Sequence, residues 1–212
     1  IPRGDTLKHT IYTTKFIGTA FKYFSRFILK ITGWTLKGAL PGVDKYVIIA
    51  APHTSNWDFV YSILMAGANN IEFHWMGKHS IFKWPFGSLM KWMGGIPVQR
   101  DQSNNIVEAT INIFNERETF VVAIPPEGSR SRVRYWKTGF YYIAQGAGVP
   151  VLLVYLDYEK KECGFGPLFY LSGNLEDDMC KIKDFYTGVK GKRSHLFTEA
   201  SLNDSLKTKK VS

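Results

Sequence analysis

The chain has 212 residues, of which 45% are hydrophobic, and a formal net charge of +9 from 27 Lys+Arg against 18 Asp+Glu. That length and apolar content suit one substantial domain, and the absence of any ~20-residue apolar window excludes a conventional transmembrane helix. The basic balance leaves nucleic acid, an anionic membrane or an anionic substrate as partners, and an aromatic content of 15% suits a membrane-facing surface at least as well as a nucleic-acid one.

Residues 11–31 read as a cationic amphipathic helix. At ~100° per residue, Lys15, Lys22, Arg26 and Lys30 fall within roughly 80° of one another. Phe16, Ile17, Ala20, Phe21, Phe24, Phe27, Ile28 and Ile31 fill the opposite arc. Such a helix lies in a membrane interface with its cations toward anionic headgroups. It also fits a helix packed on its own domain with a solvated basic edge. Strands are expected next at Trp34–Ala39 and Tyr46–Ala51.

The second strand runs into Pro52 and then His53-Thr-Ser-Asn-Trp-Asp58. Histidine is the side chain most readily used as a general base near neutral pH, and a carboxylate can hold its tautomer and offset the charge it gains. Five positions within one helix would set these side chains about 140° apart. They meet only if His53 precedes the helix. Pro52 disfavours a helical Ala51, and Thr54 or Ser55 can cap a helix over Ser55–Ala68. Ser55-x-x-Asp58 is equally a capping box that needs no catalysis. Both roles are compatible, because a carboxylate has two oxygens.

Further along, strand and helix signals alternate. Strands are expected at Ile71–Met76, Gly95–Gln99, Thr119–Ile124 and Val149–Tyr158. Helices are expected at Phe86–Met93, Asn104–Asn115, Lys137–Gln145 and Leu175–Tyr186. The pattern predicts an α/β fold with helices flanking a largely parallel central sheet. Lys78, just past one strand, Arg100, at the end of another, and Lys137, opening a helix, are candidate anion contacts. The alternative for each is a solvated charge. Pro126-Glu127-Gly128-Ser129-Arg130-Ser131 follows a strand, where ligand sites gather in open α/β sheets. Its glycine permits close backbone approach, and Arg130 suits bidentate phosphate binding. The same turn could simply be a surface loop. Residues 188–212 are polar and rich in Lys and Ser, which predicts a mobile basic tail.

No phosphate-binding glycine loop of the usual nucleotide kinds occurs, nor a Gly-x-Ser-x-Gly elbow. Cys163 and Cys180 read as free structural thiols in a reducing compartment. No metal site is expected, because His74 and His79 have no acidic pair at ligand spacing; His74 reads as a strand side chain.

Four blocks occur in order: His53-x-x-x-x-Asp58, Gly95-Ile-Pro-Val-x-Arg100, Pro126-Glu127-Gly128-Ser129-Arg130-Ser131 and Gly148-Val149-Pro150-Val151. Together they resemble the glycerolipid acyltransferase family, whose best-known members make phosphatidic acid from 1-acylglycerol 3-phosphate. The resemblance spans roughly residues 34–158, and Lys137-x-Gly139 fits it too. Pro125 and Ser129 stand where the family's third block commonly carries Phe and Thr.

The resemblance implies a fatty acyl transfer from an acyl thioester to the free hydroxyl of a lysophospholipid, 1-acylglycerol 3-phosphate first among them. His53 would be general base and Asp58 its partner. Arg100 and the loop Glu127, Gly128, Ser129 and Arg130 would grip phosphate and glycerol, with Lys78 and Lys137 as further contacts. Acyl-CoA or acyl carrier protein would serve as co-substrate, without a cofactor or metal. The expected organisation is an interfacial helix over 1–33, an acyltransferase domain over 34–187 and the basic tail over 188–212. The expected setting is peripheral association with the cytoplasmic face of an anionic membrane, with no nucleic-acid partner. Trp75, Phe82, Trp84, Phe86 and Trp92 are candidates to line an acyl groove, and equally to form an interfacial collar or ordinary core. The competing readings are a membrane-binding or lipid-carrying protein without turnover, an acyltransferase for a different acceptor and, on charge alone, a nucleic-acid binder.

Overall fold

The structure is a computed structural model, and it describes residues 10–98 and 103–203. Its centre is a seven-stranded sheet formed by β1 (Thr35–Lys37), β2 (Lys45–Ala51), β3 (His74–Lys78), β4 (Gly95–Val98), β5 (Phe120–Ile124), β6 (Val151–Asp157) and β7 (Glu162–Phe169). The spatial order is β1-β7-β6-β2-β5-β3-β4. Strands β4, β3, β5, β2 and β6 run parallel; β7 is antiparallel to β6, and β1 follows β7. The fold is therefore α/β with a mostly parallel sheet, as the alternation predicts.

Both faces of the sheet are covered, which is why its central strands read as continuous apolar runs rather than alternating ones. In β2, Val47, Ile49 and Ala51 enter one core with Phe114, Phe140, Ile143 and Ile182. These partners come from α4 (Ser103–Glu116), α5 (Gly139–Ala147) and α6 (Leu175–Tyr186). Tyr46 and Ile48 enter the other core with Leu29, Ile63 and Leu64, from α1 (Ile17–Ile31) and α2 (Asn56–Asn69). A short helix, α3 (Gly87–Trp92), precedes β4. From β2 the chain moves to one side of the sheet, toward β3; from β5 it moves to the other, toward β6. The crevice beyond the carboxyl ends of β2 and β5 is thus a topological switch point, where ligands bind in open α/β sheets.

The amphipathic helix begins at Ile17, later than the charge pattern suggests. Over residues 10–14 threonine side chains take the local hydrogen bonds: Thr13 Oγ1 accepts from the Thr10 N–H at 3.0 Å, and Thr14 Oγ1 donates to the Thr10 carbonyl at 2.7 Å. Such contacts compete with helix formation.

Around α1 three sectors are distinct. Gly18, Ser25 and Leu29 are buried, with Phe21 and Ile28 packed beside them. The approach to α2 is close, since a Cβ on Gly67 would collide with the Phe21 ring and the Ser25 hydroxyl. The next arc carries Lys22, Arg26 and Lys30. The third presents Phe16, Ile17, Tyr23, Phe24, Phe27 and Ile31 to the outside, with Phe24 54% and Phe27 59% exposed. Thus the helix packs on its own domain through one stripe and still shows a bulky apolar face. No helix among the described residues is long and apolar enough to cross a membrane.

Strand β7 has no counterpart among the expected elements. Its sequence, Glu-Cys-Gly-Phe-Gly-Pro-Leu-Phe, is poor in strand formers. Gly166 and Pro167 fall where the β6–β7 register shifts, a bulge that tolerates both. The supposed tail also needs correction. Through residue 203 it packs on the domain: the Trp136 N–H donates to the Ser201 carbonyl at 3.0 Å, the Trp136 indole donates to the Thr198 carbonyl at 2.8 Å, and Ala200 and Leu202 are buried.

Candidate active site

Strand β2 ends at Ala51, and the chain enters α2 through Pro52-His53-Thr54-Ser55. Ser55 is the N-cap, in extended conformation, and its Oγ accepts the Trp57 N–H at 3.2 Å. Asp58, in the first turn, reaches back. Its Oδ2 accepts the N–H groups of Thr54 at 2.6 Å and Ser55 at 2.7 Å. The capping box and the His–Asp encounter coexist: His53 Nδ1 stands 3.6 Å from the same Oδ2, a close approach but longer than a hydrogen bond. Asp58 is buried, whereas the imidazole is 21% exposed. Nδ1 is the ring nitrogen that faces the carboxylate.

The other oxygen of Asp58 has a partner that sequence reasoning missed. Oδ1 accepts the Tyr158 hydroxyl at 2.8 Å. Tyr158 immediately follows β6, the strand beside β2, so a polar aromatic at that strand end was the signal available. Its ring packs edge-on against Trp34, centroids 4.9 Å apart, and Tyr61, 5.9 Å apart. Burial, reinforced by Asp58, pushes its hydroxyl pKa well above the ordinary value. It therefore remains a proton donor to the carboxylate at any physiological pH.

The turn after β5 supplies the second half of the site. Glu127, expected beside the acceptor, is turned inward instead. It is 3% exposed, and its Oε1 accepts the His53 N–H at 2.9 Å. That bond ties the β5 turn to the β2 loop and fixes the backbone that carries the imidazole. Oε2 is buried without a hydrogen-bond partner among the described residues. Burial raises the carboxyl pKa from 4.5 to about 7; the His53 N–H opposes that shift, and the neighbouring Asp58 charge adds to it.

Gly128 adopts φ 67, and the Lys137 side chain lies over it: a Cβ there would sit 2.9 Å from Lys137 Cδ and Cε. The Lys137 N–H also donates to the Pro126 carbonyl at 2.8 Å. Lys137 thus belongs to the turn, and its helix starts only at Gly139. Ser129 Oγ donates to the Ser131 carbonyl at 3.3 Å, and Arg130 is exposed on the same turn.

Not every expected contact gathers here. Lys78 is exposed at the same carboxyl edge but on β3, beyond β5 from β2. Arg100 lies outside the described residues. The aromatics expected near an acyl groove are distributed around β3, α3 and their connection. Trp75 and Phe82 stack at 5.7 Å, and the Trp92 indole bonds Thr14 Oγ1 at 3.1 Å. Trp84 is 92% and Phe86 63% exposed.

A family model described as Acyltransferase matches residues 36–157, more than half of the chain, from β1 to the end of β6. The chain belongs to the acyltransferase family. Among solved structures, this acyltransferase is similar to the 1-acyl-sn-glycerophosphate (LPA) acyltransferase PlsC from Thermotoga maritima. The TM-score is 0.57 and the identity 17%, over 82% of this chain and 79% of that one. At that identity the likeness is one of fold. No curated protein gives a significant match. In the acyltransferase described here, His53, Asp58, Glu127 and Lys137 all lie inside the matched segment, and Tyr158 is the first residue beyond it.

Proposed function

We propose that this acyltransferase works at a membrane surface and moves a fatty acyl group from acyl-CoA or acyl carrier protein to the free hydroxyl of a lysophospholipid. The acceptor it suits best is 1-acylglycerol 3-phosphate, giving phosphatidic acid. The observation that carries the reading is the partly exposed His53 imidazole held beside a buried, fully hydrogen-bonded Asp58 at the sheet's switch point. The chain needs no nucleophile of its own, because the acceptor's hydroxyl attacks the thioester carbonyl directly. As the C–O bond forms, His53 Nε2 takes the hydroxyl proton, and Asp58 offsets the charge the ring gains. The tetrahedral intermediate then collapses, the C–S bond breaks, and the departing thiolate takes the proton from the imidazolium. General-base assistance of this kind is worth ~10²–10⁴-fold, and holding donor and acceptor together supplies more.

The exposed apolar sector of α1, bordered by Lys22, Arg26 and Lys30, supports an interfacial setting on an anionic leaflet. The cytoplasmic face, where both acyl donors are found, is the side we assign.

The test is a panel of lysolipids offered with each donor type, the diacyl product being followed by mass spectrometry. Transfer to lysophosphatidate, lost by about 10²-fold or more in His53→Ala with liposome binding retained, is the expected result. Absence of product from every acceptor with both donors would sink the reading. Unchanged lipid function in His53→Ala would leave a lipid-binding protein without turnover.

A further inference from the structure

The stretch Lys190-Gly-Lys-Arg193 lies outside the family match, and none of the expected site residues comes from it. The fold nevertheless returns it to the His53 loop. The Lys190 carbonyl accepts the Tyr158 N–H at 2.8 Å, and the Arg193 N–H donates to Thr54 Oγ1 at 3.2 Å. Between them Gly191 is buried so closely against the loop that a Cβ would stand 2.9 Å from Pro52 Cβ and from Thr54 Oγ1. Two backbone anchors and one close approach thus strap this segment across the residues on either side of His53. Backbone position is set, while the cationic side chains at 190, 192 and 193 remain exposed.

Lys192 is the best placed of them. Its Nζ lies over the Trp57 ring at 4.7 Å and the Tyr158 ring at 5.8 Å. Trp57 is in the first turn of α2, one residue before Asp58, and the Tyr158 hydroxyl is bonded to Asp58. The ammonium therefore sits at the rim of the His–Asp pair, on the opposite side of the His53 loop from the β5 turn. A cation resting on aromatic faces keeps its N–H groups available for an anion. No acidic side chain forms an ion pair with Lys192 or Arg193 among the described residues.

We propose that the strap at residues 190–193 is a phosphate subsite of the active site, with Lys192 and Arg193 binding a phosphate ester of one substrate as it approaches His53. The inference rests on the reading that the substrates carry phosphate. The acceptor's phosphomonoester and the phosphates of CoA share the required chemistry, so the experiment separates them. Short-chain lysophosphatidate and CoA, each below any micellar concentration, are titrated calorimetrically into the full chain and into Lys192→Gln/Arg193→Gln. Thermal melts check that the variant folds as the parent does.

Removing two charge-assisted contacts is expected to weaken one of the two ligands by roughly tenfold or more. Loss confined to lysophosphatidate assigns the subsite to the acceptor, and loss confined to CoA assigns it to the donor. Equal affinities of parent and variant for both ligands, or no binding of either ligand by the parent, would overturn the proposal. Because binding is read rather than turnover, failed transfer with intact, charge-dependent binding would count against the proposed reaction and not against the subsite.

Discussion

Replacing Glu127 by Gln should flatten the dependence of folding stability on pH between about 4.5 and 8. The folded carboxyl keeps its proton to about 7, against 4.5 for the free group, because burial disfavours the anion. Below 4.5 both folded and unfolded chains carry this proton, and the group adds no pH dependence. As pH rises, the unfolded chain ionises first, so the stability associated with the proton is lost progressively and is gone above about 7. The loss above both values is about 3 kcal/mol, a large part of the 5–15 kcal/mol typical of a domain.

Glutamine retains an oxygen for the His53 N–H but cannot ionise. Its amide nitrogen replaces an Oε2 that makes no hydrogen bond among the described residues, so the variant is expected to carry a fixed penalty at every pH. The slope, not the offset, is the quantity to read. Urea unfolding followed by tryptophan fluorescence, at pH steps from 4.5 to 8 for both proteins, gives that difference. A wild-type curve falling by about 3 kcal/mol relative to the variant is expected. Parallel curves would show that Glu127 ionises alike in the folded and unfolded chains and would refute this reasoning.

Tyr158→Phe removes the donor to Asp58 Oδ1 and leaves that buried oxygen short of a partner. Stability should fall by about 1–3 kcal/mol, and kcat should drop by roughly tenfold with KM nearly unchanged, as for a residue that positions the dyad. An unchanged kcat in a chemistry-limited assay would restrict Tyr158 to packing. On α1, Phe24→Ser with Phe27→Ser removes two side chains that are more than half exposed. Each buried phenyl is worth about 2 kcal/mol, so sedimentation with anionic vesicles should weaken by more than about tenfold at an unchanged melting temperature. Equal vesicle binding would argue that this face meets something other than lipid.

Much of the candidate site was readable locally. The apolar run of β2, the break at Pro52 and the cap at Ser55 together place His53 before a helix and Asp58 in its first turn. The 3.6 Å approach follows from those short-range signals. The cap and dyad readings were never exclusive, because one carboxylate oxygen serves the backbone and His53 while the other takes Tyr158. Glu127 illustrates the limit of such reasoning. The family resemblance placed it in the loop expected to grip phosphate and glycerol. Yet a glutamate beside a parallel strand faces either solvent or the adjacent loop, and only the neighbouring β2 loop decided in favour of His53 N–H.

By itself the sequence determined the periodic elements, the alternation that builds a parallel sheet, and the local turn that brings residues 53 and 58 together. Those signals act over one or two helical turns. The tertiary structure alone decided the partners separated by long stretches of chain: Tyr158 on Asp58, Glu127 on His53, and the 190–193 segment on Thr54. Each depends on β6 and β5 flanking β2, and on a final segment that packs down instead of trailing away. No local propensity encodes that order, since such contacts form only once the closure of long loops is offset by burial of the two faces of the sheet.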